Sequence, residues 1–404
     1  MRIGTPGFIP ARLTEAREAR RITTKSALAK RIGVSPTSVS RWEDCNSEQS
    51  PDYSTLVRLA GELDVRPEFF LRPPFHSERP TFLRSLSSTL VRDLAHQKAK
   101  MHWLQETSYI LNHYVDLPEI DIPDVLEGHS YAELREDDIE SIALRLRHHW
   151  NLGEGPCCDV VALMERIGIV VSSIEMGTTK LDGLCSWSPI DGRPHVLLAT
   201  DKMSFPRRQM DAAHELAHAV LHYNVPENEF QDNLRAIETQ AFRLASALLM
   251  PSTTYPLEVR HPSLAMLTSL KERWRVSIKA QIKRLSDLEI IPEDYARQMY
   301  KLYSAKGWSK GEPLDNHWPV TPPKALKDSL HLIVENGVRE KSDLLATEFT
   351  ISASDIESLC DLPKGWFDRE PAEVVSLKTW GNSSPREPQG ESEIILFPNK
   401  GHTK

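Results

Sequence analysis

Cysteine is scarce in this chain of 404 residues: Cys45, Cys157, Cys158, Cys185 and Cys360 are its only five, and none forms a CxxC pair. That number and scatter exclude a disulfide framework and a zinc knuckle, and point to reduced, mostly structural thiols. Long apolar runs are missing as well. No stretch approaches the roughly 18 residues a membrane helix needs, and the opening "MRIGTPGFIPARL" lacks the apolar segment of a signal peptide. The expectation is a cytoplasmic protein.

What is present is ordinary for a globular protein, with 40% hydrophobic and 26% charged residues, in a chain long enough for two or three cores. The charge is unevenly placed. Residues 1–43 hold nine Lys or Arg against three acids, a net +6 that leaves −14 on the remainder of a −8 chain. A basic head on an acidic body suits local contact with phosphate, although a solvated basic face is also common.

Within the head, "TKSALAKRIGVSPTSVSRWED" reads as two short helices around a glycine turn. Thr24 and Ser35 are placed as N-caps, and Pro36 takes the first helical position, where its missing N–H costs nothing. Ala27, Leu28 and Ile32 follow helical spacing in the first helix. Val39 and Trp42 face inward from the second, leaving Thr37, Ser38 and Arg41 on its outer face. A helical hairpin of this kind can lay its second helix in a major groove. Taken with its flanking helical segments, residues 10–72 resemble the XRE (Cro/repressor-like) helix-turn-helix domain, with Leu13, Arg17, Leu28, Ala29, Gly33, Val39, Trp42, Glu43, Leu56, Ala60 and Leu63 at matching positions. The resemblance implies five helices, base-edge contacts from Pro36, Thr37 and Arg41, a phosphate contact from Lys25, and binding to double-stranded DNA as a homodimer. Ser38, beside them, is a further candidate contact. Pro36 has no side-chain donor or acceptor, so it cannot read a base directly.

Prolines in "PPFHSERP" (73–80) mark a linker, and a long helical pattern follows that suits a spacer or a dimerisation helix. From about residue 131 the pattern turns to mixed α/β. "DDIESIALRLRHHW" and "PCCDVVALMERIG" read as helices, and "IVVSSI", "LCSW" and "HVLLAT" as short strands.

The stretch "DAAHELAHAVLHYN" (211–224) carries the strongest chemical pattern. On a helix His214 and His218 stand one turn apart, so both imidazoles can reach one cation, and Glu215 can hold a water beside that cation and accept its proton. Ala213, Leu216, Ala217 and Val220 form the opposite, core-facing stripe. A chance HExxH arises roughly a few per cent of the time in a chain with 15 histidines, so a third ligand is required. His222 lies a further turn along, about 6 Å from His218. It reads as a supporting residue. Glu238, near the start of a second helix in "AIETQAFRLASALLMP", would complete a His2Glu set with one position left open.

These two segments resemble the ImmA/IrrE family of zinc metallopeptidases, whose pattern runs HExxH, then ExxA, then FA and LLMP-like residues. Ala217 stands where the family often has glycine. The resemblance implies one zinc ion per chain on His214, His218 and Glu238, Glu215 as the catalytic base, and a gluzincin-like endopeptidase. Cys185, in a strand that the resemblance places beside the cleft, could act as a regulatory thiolate, or be a small buried hydrophobe.

The expected organisation is a multidomain, mainly α chain containing one α+β zincin-like domain. It comprises a helix-turn-helix domain over 1–72, a linker and helical spacer over 73–130, a metallopeptidase domain of small sheet plus helices over 131–304, a C-terminal helical region over 305–380 and a disordered tail over 381–404. The expected function is a DNA-binding transcriptional regulator that cleaves a repressor, an antitoxin-like protein or itself in response to a signal. The alternative is a transcription factor or antitoxin-like protein whose metal domain is a sensor that cuts nothing.

Overall fold

Side-chain caps set the first elements. In the computed structural model, which describes residues 4–75, 88–178, 181–201 and 204–368, the head comprises α1 (Pro10–Ala19), α2 (Lys25–Ile32), α3 (Pro36–Trp42) and α4 (Tyr53–Leu63). Thr24, Ser35 and Asp52 accept the N–H of Ala27, Ser38 and Thr55 at the starts of α2, α3 and α4. Gly33, at φ 69°, ends α2 in the left-handed region that favours glycine. The fifth helix of the head is short and of the 3-10 kind. Pro67–Leu71 forms a single 3-10 stretch that buries Phe69 and Phe70, because Pro73 and Pro74 leave no room for a longer helix.

Residues Ser88–Leu111 make one helix, α5, and it is neither a free spacer nor an exposed dimerisation face. Ala99, Met101, Trp103, Leu104 and Leu111 are buried, and the helix packs on α1 and on the sheet. Polar Gln97, Gln105, Thr107 and Ser108 are buried with them. A helix covered on several faces shows no clean apolar stripe, which is why its periodicity read as a spacer.

Three strands form the sheet: β1 (Val170–Ile174), β2 (Gly183–Trp187) and β3 (Pro194–Ala199), in spatial order β1-β3-β2. β1 runs parallel to β3, with Val170 opposite His195, and β2 runs antiparallel to β3, with Cys185 opposite Val196. Alternation sends side chains to two different cores. Val171, Cys185, Val196 and Leu198 enter the core of the helical body, while Val170, Leu184 and Leu197 enter the core shared with the head.

The helical body is built from α6 (Glu136–His149), α7 (Val160–Arg166), α8 (Phe205–Leu221), α9 (Glu227–Leu249), the single turn α10 (Tyr255–Glu258), α11 (Leu264–Trp274), α12 (Ile278–Asp287) and α13 (Glu293–Ala305). α8 is buried along most of its length and packs chiefly on α9 and β2. The end of α9 is fixed by two guanidinium groups. Arg147 donates to Leu248 O, and Arg284 donates to Met250 O at 2.9 Å while forking onto the Glu140 carboxylate.

Past residue 305 the chain returns to the head rather than standing apart. α14 (Ala325–Glu335), α15 (Lys341–Asp343) running on into a π-helical turn (Leu344–Glu348), and α16 (Ala353–Leu359) share one core with α1, α4, α5 and the outer face of β1. Asp355 pairs with both Arg20, at the C-terminal end of α1, and Lys100 of α5. Val65 and Ile351 form an antiparallel bridge, with Arg66 N donating to Thr350 O at 2.7 Å. These segments occupy the surface of the head that a separate partner-binding bundle would leave free. Residues 76–80 of the proline-rich stretch and the tail over 381–404 lie outside the described residues. Among the described residues, no helix is long and apolar enough to cross a membrane.

Candidate metal centre

On α8 the apolar residues at helical spacing anchor the helix and leave its other side to His214, Glu215 and His218, all buried. α9 crosses this side and brings Glu238 to them from the middle of the helix, not from near its start. The polar segment "ENEFQDN" forms its first turns.

The three side chains form a triangle of donor groups, in which Glu238 turns one oxygen to each histidine. His214 Nε2 and His218 Nε2 are 3.1 Å apart, His218 Nε2 is 3.3 Å from Glu238 Oε1, and His214 Nε2 is 3.4 Å from Glu238 Oε2. A tetrahedral zinc with bonds of about 2.0–2.2 Å has ligand–ligand edges of about 3.3–3.6 Å, so these residues fit such an ion. Burial pushes the Glu238 carboxyl upward, but hydrogen bonds and charge from His214 and His218 outweigh it and hold the group well below the usual carboxylate range. Phe242 packs its ring 4.1 Å from that of His214.

A chain of hydrogen bonds fixes the imidazoles. Gln240 Nε2 donates to Tyr131 O at 2.8 Å, which turns its Oε1 toward His222 Nε2 at 3.2 Å. His222 Nε2 must therefore carry a proton. Burial first, and then the neighbouring His218, push the His222 pKa well down, so the ring is neutral and its Nδ1 is an acceptor. His218 Nδ1, 3.1 Å from His222 Nδ1, donates to it and leaves the His218 Nε2 lone pair directed into the triangle. His222 thus touches a candidate ligand without joining the set. Gln240 and Tyr131 were missed in the sequence, because neither residue type nor spacing marks them.

Glu215 lies across the start of β2. A Cβ on Gly183 would fall 2.6 Å from Glu215 Oε1 and 2.8 Å from its Cγ, so the carboxylate occupies space that only glycine leaves. Cys185, two residues on, is fully buried, and burial together with the Glu215 charge pushes its thiol far up. A regulatory thiolate there does not fit: the side chain behaves as a small buried hydrophobe.

Residues 164–286, which include all of these α8 and α9 residues, match the IrrE N-terminal-like domain of the peptidase M78 family. Residues 13–70 match the helix-turn-helix family. The chain thus joins a segment similar to helix-turn-helix domains to one similar to the IrrE N-terminal-like domain. No curated protein matches it as a relative.

In the helix-turn-helix domain, Pro36, Thr37 and Arg41 of α3 are exposed, and the interdomain packing leaves this helix uncovered among the described residues. Arg41 donates to Gln49 at 3.2 Å, a neighbour the sequence did not reveal. Ser38 is half-buried, and its hydroxyl lies 2.8 Å from Ser35 Oγ within the cap of α3. Lys25 rests 3.6 Å from Glu43, which also takes a two-point contact from Arg17.

Proposed function

We propose that this chain is a DNA-binding transcriptional regulator whose peptidase domain hydrolyses a peptide bond in a regulatory protein when a signal arrives. The substrate is a repressor, an antitoxin-like partner or the chain itself. The observation that carries this reading is the convergence of His214, His218 and Glu238 at tetrahedral spacing with Glu215 alongside. A zinc ion held by those three residues would supply Lewis-acid polarisation of a carbonyl oxygen and of water. Glu215 then takes the proton from the attacking water and passes it to the leaving amide nitrogen. His222 holds His218 in the tautomer that leaves Nε2 free to ligate. β2 packs on α8, and its outer edge pairs with no strand among the described residues. An extended polypeptide can hydrogen-bond along that edge, which supports a protein substrate.

On the DNA side, exposed Thr37 and Arg41 support base contacts and Lys25 supports a phosphate contact, with Ser38 serving mainly to hold the helix start. Binding as a homodimer on inverted half-sites completes this reading.

The deciding experiment compares whole-cell protein mass spectra for the wild type and Glu215→Gln. Glu215 is not a proposed ligand, so metal content should be unchanged while one substrate loses its cleaved form. If both strains regulate the operator identically and no protein changes length, the domain is a sensor that cuts nothing.

A further inference from the structure

Two hydrogen bonds fix which residues of β2 face its open edge. Ser188 N donates to Arg193 O at 2.8 Å, and Ala199 N donates to Asp182 O at 3.0 Å. In an antiparallel pair the peptide groups alternate, so Leu184 and Ser186 likewise direct theirs to β3. Gly183, Cys185 and Trp187 turn their N–H and C=O the other way, to the edge that meets no strand among the described residues.

The same three residues face α8. A Cβ on Gly183 would meet Glu215, and Cys185 enters the core of the helical body, so alternation puts Trp187 on that face as well. At about 3.3 Å per residue, Trp187 lies about 13 Å along the strand from Gly183. On α8 the stretch from Glu215 to Leu221 covers about 9 Å, and Tyr223 follows just past the C-cap His222. Both distances lead to one place: the Trp187 and Tyr223 rings are 5.6 Å apart and tilted at 43°. Both side chains are half-buried, and the turn after β2 exposes Ile190. The cleft between β2 and α8 is therefore charged at its Gly183 end and aromatic at its Trp187 end.

We propose that Trp187 and Tyr223 form a subsite for a large apolar or aromatic side chain of a polypeptide substrate, and so determine where that substrate is cut. This inference rests on the reading of the chain as a peptidase. An extended polypeptide added to the open edge pairs with Gly183, Cys185 and Trp187, and residues directly opposed across the pair share a face. The substrate residue opposite Gly183 points toward Glu215 and the candidate ligands, where glycine leaves room. The residue opposite Trp187 points to the aromatic pair, at the Gly183–Trp187 spacing from the first. Antiparallel pairing, the more stable arrangement, places it on the N-terminal side of the cut. A ring seated there leaves water for an apolar contact, which favours Phe, Tyr, Trp or Leu over alanine and over charged residues.

The test uses the zinc-loaded full-length protein and a set of fluorescein-labelled alanine–serine peptides in which a single phenylalanine is walked along the chain. Wild-type products are read by mass spectrometry. The cut should move with the phenylalanine, falling roughly four to five residues beyond it, the Gly183–Trp187 spacing. Binding of the same peptides to Glu215→Gln, read by fluorescence anisotropy, should be about tenfold tighter with phenylalanine in place than without it, the order that filling an apolar pocket supplies. Trp187→Ala and Tyr223→Ala, each placed in the Glu215→Gln background, should abolish that difference, and Trp187→Phe should retain it, with zinc content equal in all. Cuts that ignore the position of the phenylalanine, or an undiminished preference in Trp187→Ala, would overturn the subsite and leave the peptidase reading intact. Equal weakening of every peptide in Trp187→Ala marks a structural role and overturns the subsite as well. Phenylalanine-selective binding that Trp187→Ala removes, with no peptide cut by the wild type, would keep the subsite and overturn the peptidase reading. Absence of both binding and cleavage overturns both.

Discussion

Glu215 lies so close to Gly183 that a methyl group on the glycine would sit 2.6 Å from Glu215 Oε1. An edge strand and the HExxH helix therefore fit together only because one residue has no side chain. Gly183→Ala should push the Glu215 carboxylate aside while leaving His214, His218 and Glu238 in place. Peptide hydrolysis should fall by about 10²-fold, the order of loss a displaced catalytic group produces. Zinc content measured on the same sample should not change, and loss of the metal would count against this account.

The tautomer of His218 depends on an amide two helical residues beyond Glu238. Gln240→Ala removes the acceptor for His222 Nε2 and frees both histidines to exchange tautomers. Zinc affinity, measured by competition with a chromophoric chelator, should fall by about 10–100-fold, the usual cost of losing a group that orients a ligand. His222→Ala should show a similar loss, and a wild-type affinity in both variants would remove His222 and Gln240 from the account.

Asp355 joins the C-terminal segment to the DNA-binding head by pairing with Arg20 and with Lys100, the latter at 2.6 Å. Burial raises the Asp355 pKa, but the two cations outweigh it and hold the carboxyl below its ordinary range. Asp355→Ala leaves two cations near the interior without their partner, a change that costs about 3–5 kcal/mol when such a pair is buried. Because Arg20 and Lys100 keep some contact with water, the lower end is expected. Urea unfolding should show it, together with faster proteolysis between the head and the body.

His195 of β3 is fully buried, with its Nε2 2.6 Å from Ser108 Oγ of α5. Burial holds its pKa down at about 4, with Asp191 and the Arg193 carbonyl pulling upward and the Arg193 charge downward. The unfolded chain binds a proton near pH 6.5 and the folded one does not until about 4, so stability present above 6.5 is lost as the pH falls through that window. The loss is about 1.4 kcal/mol per pH unit for one proton. His96 acts in the same direction, with burial taking it to about 4, while Glu15, pushed up to about 7 by burial, acts in the opposite one. The difference between wild type and His195→Gln therefore carries the test: the variant's stability should fall less steeply between pH 6.5 and 4.

DNA binding has two separable parts. Arg41→Ala should reduce the preference for the operator over random DNA more than it reduces the salt dependence, and Lys25→Ala should lower the salt slope by about one. Titrations at several salt concentrations distinguish them. A wild type whose affinity does not change with salt would contradict phosphate binding altogether.

Much of the site was legible because it lies within one helix. The i, i+4 spacing of His214 and His218, the adjacent Glu215 and the alanine and leucine stripe opposite them are properties of a 3.6-residue period. The caps at Thr24 and Ser35 and the turn at Gly33 are equally local, and each forms as read. Reading failed where a residue's role depends on a remote partner. α5 looked like a spacer because its burial is shared among several neighbours, and Cys158 looked like Cys157 because exposure is not a property of residue type.

Sequence by itself determined the helices, their caps, the basic head and the candidate ligand types, since these follow from backbone preference and side-chain chemistry over a few residues. Only the tertiary structure decided that α9 delivers Glu238 at 3.3 and 3.4 Å from His218 and His214, that Gly183 makes room for Glu215, and that the C-terminal segment locks onto the head. Those relations join segments far apart in the chain, and close packing of whole elements, rather than local periodicity, sets their distances.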